Sequence, residues 1–375
     1  MKRILKKHDH TEGVNFLTKQ TQQTEQPSTS MKILKYEAPF ALENGEILPE
    51  IQIAYHTYGT LNAVGDNVVW VCHALTGNSE AADWWSGLVG EGKYLDPTKY
   101  FIVCANMLGS HYGSTSPLSI NPKTGRFYGL TFPTITIRDV VNGHKILAQH
   151  LGIQSINLAI GGSMGGQQVL EWAIMQPAFF KNIAVIACGA KMTPWSIALN
   201  ETQRMAIEAD PSVNAANIAQ IEDLATLSKI GSKGMEAARA IGMLSYRSYE
   251  GYNFAQKDDR DLLDTFKVQS YQRYQGQKLA QRFNALSYIS LSKTMDSHNV
   301  GRNRGGIEKA LKNIRTNTLI VGIQSDILFP LEEQIELAKQ IPNAKLEVIQ
   351  SKFGHDGFLI EFDQMLALLQ KFMER

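Results

Sequence analysis

Cysteine is scarce in this chain: three thiols among 375 residues, at Cys72, Cys104 and Cys188. Their odd number and wide spacing argue against a disulfide framework, and no CxxC or Cys/His cluster has the spacing of a zinc site. Each thiol ends a short apolar run, as a buried strand residue does, which places the protein in a reducing, cytoplasmic setting. A long hydrophobic run is also missing. No stretch reaches the roughly 18 apolar residues that a membrane helix needs. Charge of one sign is missing too: 37 Lys and Arg stand against 36 Asp and Glu, for a net +1. That balance gives no argument for nucleic acid or an anionic membrane as partner. No internal repeat is evident. The basic start (Lys2, Arg3, Lys6, Lys7) lacks the apolar segment of a secretory signal. Residues 1–30 hold few large apolar side chains and read as a disordered extension, with Met31 as an alternative start.

What is present is apolar residue in quantity, 43% of the chain, enough for one large domain carrying an insertion. Short β-rich runs at Ile51–Tyr58, Asn67–Cys72, Tyr100–Ala105, Ile156–Ile160, Asn182–Ala187, Thr318–Gly322 and Lys345–Ile349 alternate with helical patterns at Ile137–Leu151, Gly165–Met175 and Glu333–Gln340. Several runs are apolar throughout, as strands covered on both faces are. The alternation predicts a mostly parallel sheet flanked by helices. It lapses between 190 and 304, where the strand signal fades and helical spacing takes over. The expected organisation is therefore a core of 31–189 plus 305–375, with 190–304 as a helical lid.

The strand at Ile156–Ile160 runs into Gly161-Gly162-Ser163-Met164-Gly165-Gly166 and then a helix. This is G-x-S-x-G in the strand–turn–helix setting of a nucleophile elbow. Only small residues fit two positions either side of the serine, and the following helix N-terminus favours developing negative charge. A serine needs a base, and the base an orienting acid. Asp326 follows the strand at Thr318–Gly322, and His355 follows the strand at Lys345–Ile349. The chain order Ser163, Asp326, His355, each after its own strand, predicts the α/β-hydrolase fold with these three as its triad. Two backbone N–H groups should form the oxyanion hole. Met164 follows the nucleophile, and Leu75 lies in the loop after Asn67–Cys72.

A wider set of motifs narrows the reading: His73-Ala74-Leu75-Thr76-Gly77, Asp83-Trp84-Trp85, Ile135-Thr136-Ile137-Arg138-Asp139, Gln203-Arg204-Met205-Ala206-Ile207, Met295-Asp296-Ser297-His298 and Gly354-His355-Asp356. Together with the elbow, this set resembles the homoserine O-acetyltransferases of methionine biosynthesis, from about Tyr36 to the C-terminus. The resemblance implies ping-pong transfer of an acetyl group from acetyl-CoA, a co-substrate rather than a bound cofactor, to L-homoserine through an acyl-Ser163. It also implies that Arg204 takes the substrate carboxylate and Asp356 its amino group, and that the enzyme is a homodimer, paired through the helical lid. A guanidinium fork suits a carboxylate, and an acid an ammonium. Two stretches depart from the family pattern: Gly109–Pro117 and Gly301–Gly306. The first leaves the acyl group open, so that succinyl transfer, or serine as acceptor, stays an alternative. A serine esterase shares the same triad, and a non-catalytic binding protein shares the fold. Transfer is favoured over hydrolysis by the Arg204–Asp356 pair and by a lid able to exclude water. Nothing in the spacing of His, Cys and acids supports a metal.

Overall fold

The computed structural model describes residues 30–374. The extension expected to be disordered, 1–30, lies outside the described residues except for its last member. Eight strands form one sheet: β1 (Lys32–Tyr36), β2 (Ile51–Tyr58), β3 (Val68–Cys72), β4 (Phe101–Ala105), β5 (Ile156–Gly162), β6 (Phe180–Ile186), β7 (Asn317–Ile323) and β8 (Ala344–Ile349). Their order is β1-β2-β4-β3-β5-β6-β7-β8. The pairings of β1 with β2 and of β2 with β4 are antiparallel, and all those from β4 to β8 are parallel. The seven expected strands are present, with ends moved by no more than two residues. β1 was not among them. It is an edge strand with a mostly exposed pattern and two lysines, which keep an open edge soluble but give no apolar signal.

The apolar runs read as they do because both sheet faces are covered. Along β3, Val68, Trp70 and Cys72 enter one core while Val69 and Val71 enter the other. Helices α1 (Ile137–His150) and α2 (Met164–Met175) cover the first face. There Trp70 meets Trp172 edge-on, with ring centroids 4.9 Å apart. The start of α1 is fixed by a capping box between Thr136 and Asp139.

Between β6 and β7 the chain is helical, with α3 (Pro194–Glu208), α4 (Ser232–Tyr246), α5 (Lys267–Arg282) and α6 (Ala285–Asp296) as its long members. This segment leaves and returns at one place. Met192 N–H donates to the His298 carbonyl, and Val300 N–H to that of Ala190. After β7 come α7 (Leu331–Gln340), β8 and α8 (Phe362–Met373); Met365, Leu369 and Phe372 of α8 cover the second face.

An ion cluster fastens the returning end of the helical segment to the core. Buried Glu171 on α2 accepts from Arg138 Nε at 2.7 Å and Arg304 Nη1 at 2.8 Å. Glu43 pairs with Arg138 and with Arg302 at 2.6 and 2.8 Å. Burial alone raises the Glu171 pKa, but the hydrogen bonds and charges of Arg304 and Arg138 outweigh it and hold the carboxyl below its ordinary value. The stretch Gly301–Gly306 thus has a structural task. Removing one member leaves buried charge without its partner, so Glu171→Gln should cost about 3–5 kcal/mol of stability. Urea unfolding of the variant measures this, and a loss within about 1 kcal/mol contradicts it.

Candidate active site

The elbow is set by steric exclusion. A Cβ on Gly165 would lie 2.2 Å from the Cys72 carbonyl oxygen, and one on Gly161 2.5 Å from the Gly165 backbone. At Gly162 it would strike the Phe358 ring at 2.5 Å, and at Gly166 the Cys188 sulfur at 2.9 Å. At Gly161 and Gly165 the obstacle is backbone, so only glycine fits there. Ser163, between them, has φ of 57° and ψ of −127°, a left-handed conformation that few side chains adopt. The turn is anchored by Ser163 N–H donating to the Ile186 carbonyl at 2.9 Å.

The loops after β7 and β8 bring the acid and the histidine together. Asp326 Oδ2 meets His355 Nδ1 at 2.7 Å, and both side chains are buried. The other carboxylate oxygen, Oδ1, accepts from Leu328 N–H at 2.8 Å and Phe329 N–H at 3.0 Å, which fixes its orientation. Ser325 ties the two loops: its hydroxyl donates to the Ser351 carbonyl and accepts from Gly354 N–H. Burial pulls the His355 pKa down, but the Asp326 charge and hydrogen bond, with Asp356 adding to them, raise it above the ordinary value. Ser163 and His355 line one cavity of about 390 Å³. No hydrogen bond joins the hydroxyl to the ring here; such bonds often tighten only with substrate. A third carboxyl, Glu333 of α7, lies close enough to Asp326 to feel its charge. Burial first and that charge second push it up to about 7. Nothing in its helical setting marked it in the sequence.

Leu75 lines the same cavity, and Met164 opens α2, where a backbone N–H has no partner within the helix. The Leu75 loop is held by His73. Its Nε2 accepts from Met107 N–H at 3.2 Å, so Nδ1 is the protonated nitrogen that donates to the Ala74 carbonyl at 2.9 Å. Burial drops the His73 pKa to about 4, which keeps this ring neutral.

The structure separates the two residues expected to hold an amino acid. Asp356 lines the cavity, with Arg247 Nε 3.2 Å from its carboxylate. Arg204 does not reach the cavity wall. It is buried between α3 and α6, where Glu201 takes Nε at 2.8 Å, Asp296 takes Nη1 at 2.7 Å and Ser292 accepts at 2.7 Å. In this arrangement the fork is shared by two carboxylates, one of them, Glu201, half exposed. Besides Arg282 at the end of α5, two arginines stand on the cavity wall, Arg239 of α4 and Arg247, the residue after that helix. Arg239 stacks over the Tyr246 ring at 5.2 Å. The sequence concealed this because both arginines sit in or beside an ordinary amphipathic helix, whereas Arg204 stood in a quotable motif. Of the divergent stretch Gly109–Pro117, only Tyr112 lines the cavity.

Comparison with known proteins gives the fold and the family. The model of the alpha/beta hydrolase fold matches residues 67–362. A homoserine O-acetyltransferase of Cyclobacterium marinum is 49% identical over 92% of this chain and 95% of its own length. The chain belongs to the homoserine O-acetyltransferase family. The crystal structure of the Staphylococcus aureus homoserine O-acetyltransferase superposes with a TM-score of 0.75 at 28% identity, covering 92% of this chain and 96% of that one. The acetyl esterase MekB superposes with a TM-score of 0.77 at 27% identity, over 92% and 97%. The family's fold therefore serves both transfer and hydrolysis. Among the described residues no group of three or more His, Cys, Asp or Glu gathers as a metal set, and no helix is long and apolar enough to cross a membrane.

Because His355 must be neutral to act as a base, acylation of Ser163 should rise with pH through an inflection above the usual imidazole value of about 6.5. Removing one negative charge beside the ring, in Asp356→Asn, should move that inflection down. The burst with p-nitrophenyl acetate reads it directly, and an inflection that stays in place contradicts the assigned electrostatics.

Proposed function

We propose that this protein transfers an acetyl group from acetyl-CoA to the hydroxyl of L-homoserine, supplying methionine biosynthesis. The observation that carries the reading is one cavity wall holding Ser163 and His355 beside an acid, Asp356, and a guanidinium, Arg239. The membership in a family of homoserine O-acetyltransferases supports it.

Ser163 Oγ attacks the thioester carbonyl as His355 Nε2 takes its proton. The backbone N–H groups of Leu75 and Met164 hold the oxyanion. The C–S bond breaks, His355 returns its proton to the departing CoA sulfur, and an acetyl ester remains on Ser163. The homoserine hydroxyl then loses its proton to His355 and attacks the ester, and collapse returns both proton and bond to Ser163. Asp326 keeps His355 in the tautomer that presents Nε2 and stabilises the imidazolium. Arg239 takes the homoserine carboxylate, and Asp356 takes the ammonium once Arg247 gives way. Water is the competing acceptor, and the likeness to MekB keeps hydrolysis as the second reading. The amino-acid clamp favours transfer, because it places an alcohol where water would otherwise attack.

Three buried thiols suit a reducing, cytoplasmic setting. Exposed apolar side chains on the helical segment, among them Trp195, Met205 and Leu244, support pairing of two copies there.

CoA release measured with and without L-homoserine tests the reading, with succinyl-CoA and L-serine run in parallel. Release that depends on homoserine, with O-acetylhomoserine as product, is expected; equal release without an amino acid indicates a hydrolase. Arg239→Ala should lower kcat/KM for homoserine by about 30- to 100-fold while sparing acylation of Ser163. Arg204→Ala should act on stability and show no such selectivity. Reversed effects would return the carboxylate to Arg204.

A further inference from the structure

The cavity carries more positive charge than an amino acid can use. Four cations line it, Arg239, Arg247, Lys278 and Arg282, against two acids, Asp83 and Asp356. Homoserine brings one carboxylate and one ammonium, so Arg239 and the Arg247–Asp356 pair account for it. Lys278 and Arg282 are left over. They stand four residues apart near the C-terminal end of α5, Arg282 in its last turn, on one helix face, and both are exposed.

Their surroundings fit a polyanion. Among the described residues neither has a carboxylate within salt-bridge distance. Arg282 is pre-set by one edge only: Nη1 donates to the Thr76 carbonyl at 2.8 Å and to the Tyr112 hydroxyl at 3.1 Å. Its backbone carbonyl in turn accepts from Tyr112 at 2.8 Å. Among the described residues Nε and Nη2 meet no acceptor, which leaves a second edge for phosphate oxygens. Lys278 lies along the Tyr274 ring, its Nζ 6.0 Å from the centroid. Basic side chains in a last helical turn also favour the helix dipole. That role would not need them on the wall of a catalytic cavity, nor one of them held by the loop that carries Leu75.

We propose that Lys278 and Arg282 form the subsite for the phosphate groups of CoA, at the cavity mouth. The inference rests on acetyl-CoA as donor. A cavity of about 390 Å³ takes the acyl end and the amino acid, so the nucleotide end lies outside, against α5. The thioester then enters between α5 and the Leu75 loop and reaches Ser163 with its carbonyl beside the oxyanion donors.

The test compares acetyl-CoA with S-acetylpantetheine, which has the same thioester but no phosphate, at saturating homoserine. For Lys278→Ala/Arg282→Ala, kcat/KM with acetyl-CoA should fall by about 10- to 100-fold, mainly through KM, and with S-acetylpantetheine by about threefold or less. Adenosine 3′,5′-bisphosphate should compete with acetyl-CoA in the wild type and lose most of its grip on the variant. Lys278→Ala alone, which leaves the Thr76 contact intact, should show the same donor selectivity at smaller size. Equal losses with both donors would overturn the subsite and make Arg282 a support of the Leu75 loop. Loss with neither donor would place the phosphates elsewhere. A wild type that acetylates homoserine from neither donor would overturn the transferase reading itself, and this is seen before any variant is made.

Discussion

The rest of the site depends on how closely β5 and α2 approach the end of β3. The Cys72 carbonyl lies where a side chain on Gly165 would have to be, and the Gly165 backbone lies where one on Gly161 would have to be. This exclusion makes the turn tight enough to force Ser163 into a left-handed conformation and to lift its hydroxyl out of the sheet. It also sets the neighbours. Because Cys72 is pinned against the elbow, the loop that follows, from His73 to Gly77, leaves the sheet beside Ser163. His73 and Gln168 then hold that loop from below: the ring bonds Met107 and Ala74, and the amide of Gln168 donates to the His73 carbonyl at 3.1 Å. The same exclusion thus sets the Leu75 loop on the cavity that Ser163 and His355 line.

The arginines of the ion pairs and those of the cavity wall differ in the partners of their guanidinium groups. Arg138, Arg204, Arg302 and Arg304 each have carboxylate partners, and their charge is spent on joining elements. Arg239 and Arg282 line the cavity without a carboxylate partner among the described residues, and Arg247 shares one that a ligand ammonium would claim.

The core was legible because its signals are local. Strand runs such as Val68–Cys72 are apolar throughout because both faces are buried, and the four glycines around Ser163 state their own steric need. Asp326 and His355 were legible through chain order, each following a strand. What was not legible depended on distance in sequence. The β1 edge has too little burial to leave a pattern. Arg204 stands in a motif, but its pairing with Asp296, 92 residues away, and the place of Arg239 on the cavity wall depend on how the helices pack. Glu333 reads as an ordinary first-turn acid until α7 is set against the Asp326 loop.

The account turns on an acetyl ester at Ser163 that an amino-acid alcohol discharges faster than water does. The most direct measurement is intact-protein mass spectrometry after mixing with acetyl-CoA alone, followed by peptide mapping and a chase with homoserine. The account predicts a gain of one acetyl group on the peptide carrying Ser163, persistent in buffer and lost promptly on adding homoserine. An acetyl group that never accumulates, that sits on another residue, or that leaves at the same rate with and without homoserine would contradict it.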